Sequence, residues 1–332
     1  MKIEKIALLD KFNAFGEKLA ERIRQELPGT EVIAATDIDQ IAAVTNDIDI
    51  LITWPFIDER VERFCENAPG LKWVHAFTAG VEGIIQSKLG QLGITITATK
   101  GIHGPPISDH VIAFIFSFLR SLPSLREYQR DKVWYRSHEH PEQPDLASEE
   151  SFNKTVGIIG LGSIGLCIAQ KCKALGMRVV STKRTPVASE WVDACYPPDG
   201  LGEILGMSDF VVIAAPLTRE TEKMIGEEQL QMMKRSAYLI NISRGAIIDE
   251  TALIKALQEK KIAGAALDTV GHEPLDRQSP LWEMPNVIIT PHISANSHYT
   301  RDIRSYESIL ANIRRFANDE PLKYIVSRKL GY

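Results

Sequence analysis

Thr155-Val-Gly-Ile-Ile-Gly160-Leu-Gly162-Ser-Ile-Gly165 is a short apolar run that enters a G-x-G-x-x-G triplet, and a helical pattern begins directly behind it. The strand–turn–helix context separates a dinucleotide fingerprint from a chance cluster of glycines. Gly160 permits the tight turn, Gly162 leaves room for a pyrophosphate to approach the backbone, and Gly165 lets the helix pack closely on the sheet. Ser163 and Ile164 then fall in the first helical turn, where free N–H groups and the positive end of the helix dipole attract phosphate. The stretch predicts a doubly wound Rossmann domain.

Outward from it, further strands are expected at Met177–Ser181, Phe210–Ala214, Ala237–Ile240, Gly264–Leu267 and Val287–Ile289. With Val156–Ile159 they make six strands, separated by helical segments, which fits one dinucleotide-binding domain. The amino-terminal hundred residues form a second alternating series without a glycine fingerprint. Strands are expected there at Lys5–Leu9, Glu31–Ala35, Asp49–Thr53, Lys72–Ala76 and Ile94–Thr97, with a helix over Lys11–Gln25. A βαβ series of this kind predicts a parallel sheet. Ile107–Leu125 reads as one long apolar helix, the polar stretch around Pro141 and Pro144 as an irregular loop, and Tyr299–Ala317 as a last helix. That helix is long enough to return to the first series. The expected organisation is therefore a Rossmann domain over 103–294, inserted in a smaller flavodoxin-like substrate domain made of 1–102 and 295–332. A cleft between two such domains is a natural place for a substrate.

Composition bounds the function classes. The chain has 332 residues, 44% hydrophobic and 24% charged, with a net charge of -5. No basic footprint points to nucleic acid. Val111–Leu119 is the longest apolar run and is far too short to span a bilayer. Met1-Lys-Ile-Glu-Lys enters a strand rather than a signal-peptide core. Cys65, Cys167, Cys172 and Cys195 make no CxxC and no zinc-like cluster with histidine, so no metal is expected, and a reduced, cytoplasmic setting is the simple reading.

Three segments behind the fingerprint carry candidate chemistry. Arg244 follows a strand in Leu239-Ile-Asn-Ile-Ser-Arg244-Gly245, at the end where doubly wound sheets bind ligands. An arginine there can grip a carboxylate with both arms of its fork; a surface salt bridge is the alternative. Glu273 lies before Pro274 in a stiff loop after another strand, where a solvated loop charge is equally ordinary. His292, fixed behind Pro291 after the last strand, suits acid–base work, although structural histidines are common.

Together with Gly160–Gly165, the pieces Asn241-Ile-Ser-Arg-Gly245, Leu267-Asp268 through Glu273-Pro274, and Thr290-Pro-His-Ile-Ser294 make the chain resemble the D-2-hydroxyacid dehydrogenase family, which includes glyoxylate/hydroxypyruvate reductases. Lys100-Gly-Ile-His-Gly-Pro-Pro-Ile-Ser-Asp-His110 extends the likeness upstream, so that it covers nearly the whole chain. The resemblance implies that Arg244 binds substrate, Glu273 orients the base and His292 exchanges the proton. It further implies that Pro216, Thr221, Ile242, Ser243, Asp268 and Ser294 serve the cofactor, and that the protein is a homodimer acting on a small 2-oxo or 2-hydroxy acid.

The substrate carboxylate needs a second anchor. Backbone N–H groups near Ala79 and Gly80, in the turn after a first-domain strand, could hold it, as the family's matching loop does. A plain βα turn is the other reading. The ribose position departs from the usual pattern. NAD-specific sites place an acid at the end of the second strand, whereas here Lys183 and Arg184 stand there. A cation pair would attract a 2′-phosphate, so NADP(H) is favoured and NAD(H) remains possible if the pair is merely a solvated turn. Two other functional classes stay open: a relative acting on a formate- or phosphite-like anion, and a non-enzymatic dinucleotide-sensing protein of the co-repressor type.

Overall fold

In the computed structural model of the protein, residues 2–11, 16–54, 57–78, 80–135, 146 and 149–328 are described. The loop around Pro141 and Pro144, residues 12–15 of the expected first helix, and Ala79 lie outside them. The chain divides into two compact units, Met1–Ile102 with Ser297–Tyr332, and His103–Asn296. The second unit runs two residues past the expected 294, a displacement of the size usual for element boundaries.

In the first unit, β1 (Lys5–Leu9), β2 (Glu31–Ala35), β3 (Ile50–Thr53), β4 (Trp73–Ala76) and β5 (Thr95–Ala98) form a parallel sheet in the order β2-β1-β3-β4-β5. That is the flavodoxin-like order. Strands β1, β3 and β4 are almost wholly buried because both faces of the sheet are covered, which is why they are mostly apolar, with His75 of β4 a buried exception. Helix α1 (Gly16–Glu26) covers one face with Leu19, Ala20 and Ile23. The same cluster takes Tyr306, Ile309, Leu310 and Ile313 from the last helix, α11 (Ser305–Ala317), so the carboxyl end completes this core.

The second unit holds a seven-stranded parallel sheet. Its strands are β6 (Thr155–Ile159), β7 (Arg178–Thr182), β8 (Ala194–Tyr196), β9 (Phe210–Ile213), β10 (Tyr238–Asn241), β11 (Gly264–Leu267) and β12 (Val287–Ile289). Their order is β12-β11-β10-β9-β6-β7-β8. Counted from β6 this is 3-2-1-4-5-6 with one further strand, the Rossmann arrangement. The sheet corrects the sequence reading in one strand: β8 has only three residues, sits at the edge and ends against Pro197, so it carries no periodic signal of its own. It forms because Asp193 just before it accepts the Val179 N–H at 2.7 Å and Lys173 Nζ at 2.9 Å, which lays the segment along β7.

The expected helix over Ile107–Leu125 is also corrected. It is two helices, α5 (Gly104–Leu119) and α6 (Leu122–Arg130), with Ser121 left-handed between them at φ 51°. Pro123 has no N–H to continue the ladder, so the first helix stops short of it. Helix α5 packs with α7 (Ser163–Ala174) through Ile107, Val111, Phe114 and Ile115 against Ile168, Ala169 and Cys172. Burial pushes the Cys172 thiol up to about 12, which leaves it inert as a nucleophile. No helix among the described residues is long and apolar enough to cross a membrane.

Candidate active site

The fingerprint has the geometry a pyrophosphate needs. Gly160 sits at φ +99°, and a Cβ there would lie 2.6 Å from the Ala215 nitrogen. A Cβ on Gly165 would meet the Gly160 carbonyl oxygen at 2.3 Å, so only glycine lets α7 start this close to β6. Around Gly162 a Cβ would meet nothing within 4 Å. Gly162 is also the N-cap of α7 and supplies no side-chain cap, so the first-turn amides of Ser163 and Ile164 keep their donor capacity for an anion. Open space over Gly162 and an uncapped helix terminus fit a dinucleotide phosphate.

Lys183 and Arg184 follow β7, Lys183 half-buried with its N–H on the Tyr196 carbonyl at 3.0 Å and Arg184 exposed. The structure adds a residue that the sequence did not flag. Glu220, in the loop after β9, is held below the ordinary carboxylate range first by the Thr218 hydroxyl, then by its own backbone N–H, with the charges of Arg184 and Arg219 contributing. An acid thus stands near Arg184. In the same loop the Thr221 hydroxyl donates to the Pro216 carbonyl at 2.7 Å and accepts the Thr218 N–H at 2.7 Å. Its hydrogen bonds are used to fold the Pro216–Thr221 turn.

Strands β10, β11 and β12 are adjacent and parallel, with Asn241 opposite Leu267 and Leu267 opposite Ile289. Their following residues therefore leave the sheet at one edge. The buried Asn241 shapes the first of these loops from both ends: its Nδ2 donates to the Arg244 carbonyl at 3.0 Å, and its Oδ1 accepts the Ser243 N–H at 3.1 Å. Ser243 Oγ donates to the Ala215 carbonyl at 2.5 Å, Ile242 is buried in the apolar core, and Arg244 Nη1 donates to the Ser243 carbonyl at 2.9 Å. Gly245 closes the loop onto its neighbour, since a Cβ there would lie 1.9 Å from the Val270 carbonyl. We expect Gly245→Ala to destabilise the protein by ~1–3 kcal/mol through forced backbone displacement. Its thermal unfolding midpoint, set beside the parent's, checks this.

Asp268 organises the last loop. Burial alone would raise its carboxyl, but hydrogen bonds from Ser294 and Thr290 and the N–H groups of Ile293 and Ser294 outweigh that and hold it low. Thr290 Oγ1 donates to it at 2.6 Å, and the amides of Ile293 and Ser294 at 2.9 and 3.0 Å. The Asp268 carbonyl accepts the His292 N–H at 2.8 Å. These bonds impose a tight turn in which His292 takes φ 52°, an uncommon conformation for a non-glycine residue that persists where surroundings over-determine it. His110, from α5, approaches Thr290 Oγ1 at 3.0 Å. Because the threonine proton goes to Asp268, His110 Nε2 is the donor to Thr290.

The turn presents His292 Nδ1 to Glu273 Oε2 at 2.7 Å. Both side chains keep contact with solvent, at 47% and 39% exposure, so the pair is accessible to a small molecule. A carboxylate on Nδ1 fixes the tautomer, and the other ring nitrogen, Nε2, is chemically suited to proton exchange. Glu273 and His292 are thus brought together, and the Arg244 and Glu273 loops touch through Gly245 and Val270. In the first unit, Gly80 follows β4 and its carbonyl accepts the Thr78 hydroxyl at 2.7 Å.

Comparison with known proteins identifies the family. The profile of "D-isomer specific 2-hydroxyacid dehydrogenase, NAD binding domain" matches residues 112–294. A glyoxylate reductase of Pyrococcus furiosus is 34% identical over 297 residues, 88% of this chain and 86% of that protein. Among solved structures, the D-isomer specific 2-hydroxyacid dehydrogenase of Xanthobacter autotrophicus in complex with NADPH and MES superposes with a TM-score of 0.86 at 28% identity, over 100% of both chains. An NADPH-dependent glyoxylate/hydroxypyruvate reductase of Sinorhizobium meliloti, in complex with NADP and sulfate, gives a TM-score of 0.83 at 26% identity, over 99% of this chain and 100% of that one. With a Rossmann sheet, a phosphate-ready glycine turn and the histidine loop in place, the chain belongs to the D-isomer specific 2-hydroxyacid dehydrogenases, oxidoreductases that act on CH–OH groups with a nicotinamide dinucleotide.

Proposed function

We propose that this protein reduces a small 2-oxo acid, of the glyoxylate or hydroxypyruvate kind, to its D-2-hydroxy acid, with NADP(H) favoured over NAD(H). The observation that carries the reading is the 2.7 Å bond from His292 to Glu273 on a turn fixed by Asp268, beside the Arg244 loop. The nicotinamide, when bound, supplies the hydride to the carbonyl carbon. His292, in its protonated form, delivers the proton to the carbonyl oxygen. Glu273 orients the ring and stabilises its positive charge. Arg244 grips the substrate and stabilises charge developing on the oxygen, an interaction that strengthens towards the transition state. Ala79 and Gly80 are assigned to the substrate carboxylate as backbone donors.

Gly160, Gly162, Ser163, Ile164 and Gly165 are assigned to the pyrophosphate, and Lys183 and Arg184 to the 2′-phosphate. Pro216, Thr221, Ile242, Ser243, Asp268 and Ser294 frame the rest of the cofactor site; in this reading the buried Ile242 contributes through its backbone and Thr221 through the turn it holds. The names of the relatives support the substrate class, and the NADPH and NADP complexes of the neighbours support the cofactor. A homodimer in a cytoplasmic setting belongs to the same reading, carried by the family resemblance and by four free cysteines.

Rates with glyoxylate, hydroxypyruvate and longer oxo acids, measured with NADPH and with NADH, test the proposal. A surviving charge-assisted contact to a 2′-phosphate, partly screened at an exposed site, corresponds to roughly a tenfold preference for NADPH. Lys183→Asp combined with Arg184→Ser shrinks or inverts it, and high salt erodes it. A parent that prefers NADH removes the cation pair from the cofactor site.

A further inference from the structure

Four fully buried polar side chains of the first unit, Trp73 and His75 of β4, Thr97 of β5 and Thr99 just after it, form one connected chain. Trp73 Nε1 donates to Thr97 Oγ1 at 2.7 Å. Thr97 Oγ1 lies 2.7 Å from His75 Nδ1, and His75 Nε2 lies 3.0 Å from Thr99 Oγ1. Thr99 Oγ1 donates to the Ala76 carbonyl at 3.0 Å.

The direction of every proton follows from the last bond. The single hydroxyl proton of Thr99 is spent on Ala76, so Thr99 Oγ1 must accept from His75, and Nε2 carries hydrogen. Burial drives the His75 ring down to about 3, which makes it neutral, and Nδ1 is then an acceptor for the Thr97 hydroxyl. The chain runs one way, from the indole N–H to a backbone carbonyl, with each of these contacts satisfied. Buried polar groups are costly unless paired, and apolar side chains would fill the same space without that demand. A core held together by packing alone does not need this chain.

Its end point gives it a purpose. Thr99 also donates its N–H to the carbonyls of Ala76 and Thr78, at 3.0 and 3.1 Å. The Thr78 hydroxyl engages the carbonyl of Gly80. Three carbonyls around the turn after β4 are thereby committed to internal partners, at the carboxyl end of a parallel sheet, where open α/β folds bind ligands. A loop that receives a carboxylate on its amides must keep its carbonyl oxygens away from the anion, because each is a partial negative charge. We infer that the Trp73–Thr97–His75–Thr99 chain is a buried frame that keeps the carbonyls of Ala76, Thr78 and Gly80 committed to internal partners, making His75 and Thr99 positioning residues for binding of the substrate carboxylate. The inference rests on the oxo-acid reading given above.

The test compares the parent with Thr99→Val, which is isosteric and keeps the amide but lacks the hydroxyl that donates to Ala76 and accepts from His75, and with Thr99→Ser, which keeps the hydroxyl. Glyoxylate is the substrate, and oxalate is the carboxylate probe, titrated against the NADPH-loaded enzyme. Thr99→Val raises KM for glyoxylate and Kd for oxalate by about tenfold, equivalent to ~1.4 kcal/mol. Its kcat stays within about twofold of the parent, its Kd for NADPH is unchanged, and Thr99→Ser restores most of the affinity. Thr78→Val, at a half-buried position outside the core, moves KM and Kd in the same direction and decides the matter if Thr99→Val does not fold. Parent values of KM and Kd in Thr99→Val, or in Thr78→Val where that variant decides, overturn the inference and leave the oxo-acid reading standing. So does a fall in kcat and NADPH affinity alongside KM, the mark of general damage. A parent that neither reduces oxo acids nor binds oxalate overturns both.

Discussion

Replacing His292 by alanine lowers kcat for oxo-acid reduction by about 10²–10⁴-fold, the range for loss of a positioned general acid. NADPH affinity survives, because the glycine turn and α7 are untouched. The structure suggests a cleaner companion variant. His292 occupies the left-handed region at φ 52°, and asparagine is among the residues that tolerate it best. His292→Asn therefore keeps the loop while removing the imidazole, and its turnover is expected to fall as far as that of the alanine variant. Single-turnover kinetics with NADPH separate the chemical step from binding and release. Near-parent turnover in either variant would falsify the assignment of proton transfer to His292.

Arg244→Lys comes next in size, with kcat/KM expected to fall by about 10²-fold or more. Lysine keeps the charge but loses the planar fork that binds a carboxylate through two parallel hydrogen bonds. The loop itself should hold, because it is shaped by Asn241, Ser243 and Gly245 rather than by the guanidinium alone. Loss in kcat and KM together, at unchanged cofactor affinity, is the expected pattern. A variant with normal affinity and normal rate means that Arg244 serves only its own loop.

Much of this protein was legible because its strands are central and parallel. Both faces of β3, β6 and β9 are buried, so each is written as an apolar run and needs no tertiary information to be seen. Strand β8 lacked that signature because an edge strand of three residues is specified by its neighbour. The break between α5 and α6 was written at Pro123, but Leu122 and Leu125 continue the helical spacing of Leu119 and concealed the stop. Arg244, Glu273 and His292 stand out in the sequence by their place after strands and by family resemblance, and the structure brings Glu273 and His292 into contact. Asn241, Thr290 and His110 lie within the matching motifs, but nothing in their spacing reveals that Asn241 holds backbone groups of its loop or that His110 and Thr290 lead to the Asp268 carboxylate.

The sequence by itself determined the glycine turn, the two alternating α/β series and the order of the chemistry-bearing loops, because each is a local pattern of apolar period, turn residue or position after a strand. Only the tertiary structure decided that Asp268 gathers the amides of Ile293 and Ser294, that His292 bonds Glu273 from a left-handed backbone, and that His75 is a neutral link between two threonines. Those outcomes depend on hydrogen bonds between residues distant in the chain. Their cost or gain is fixed by burial, which single-residue patterns do not carry.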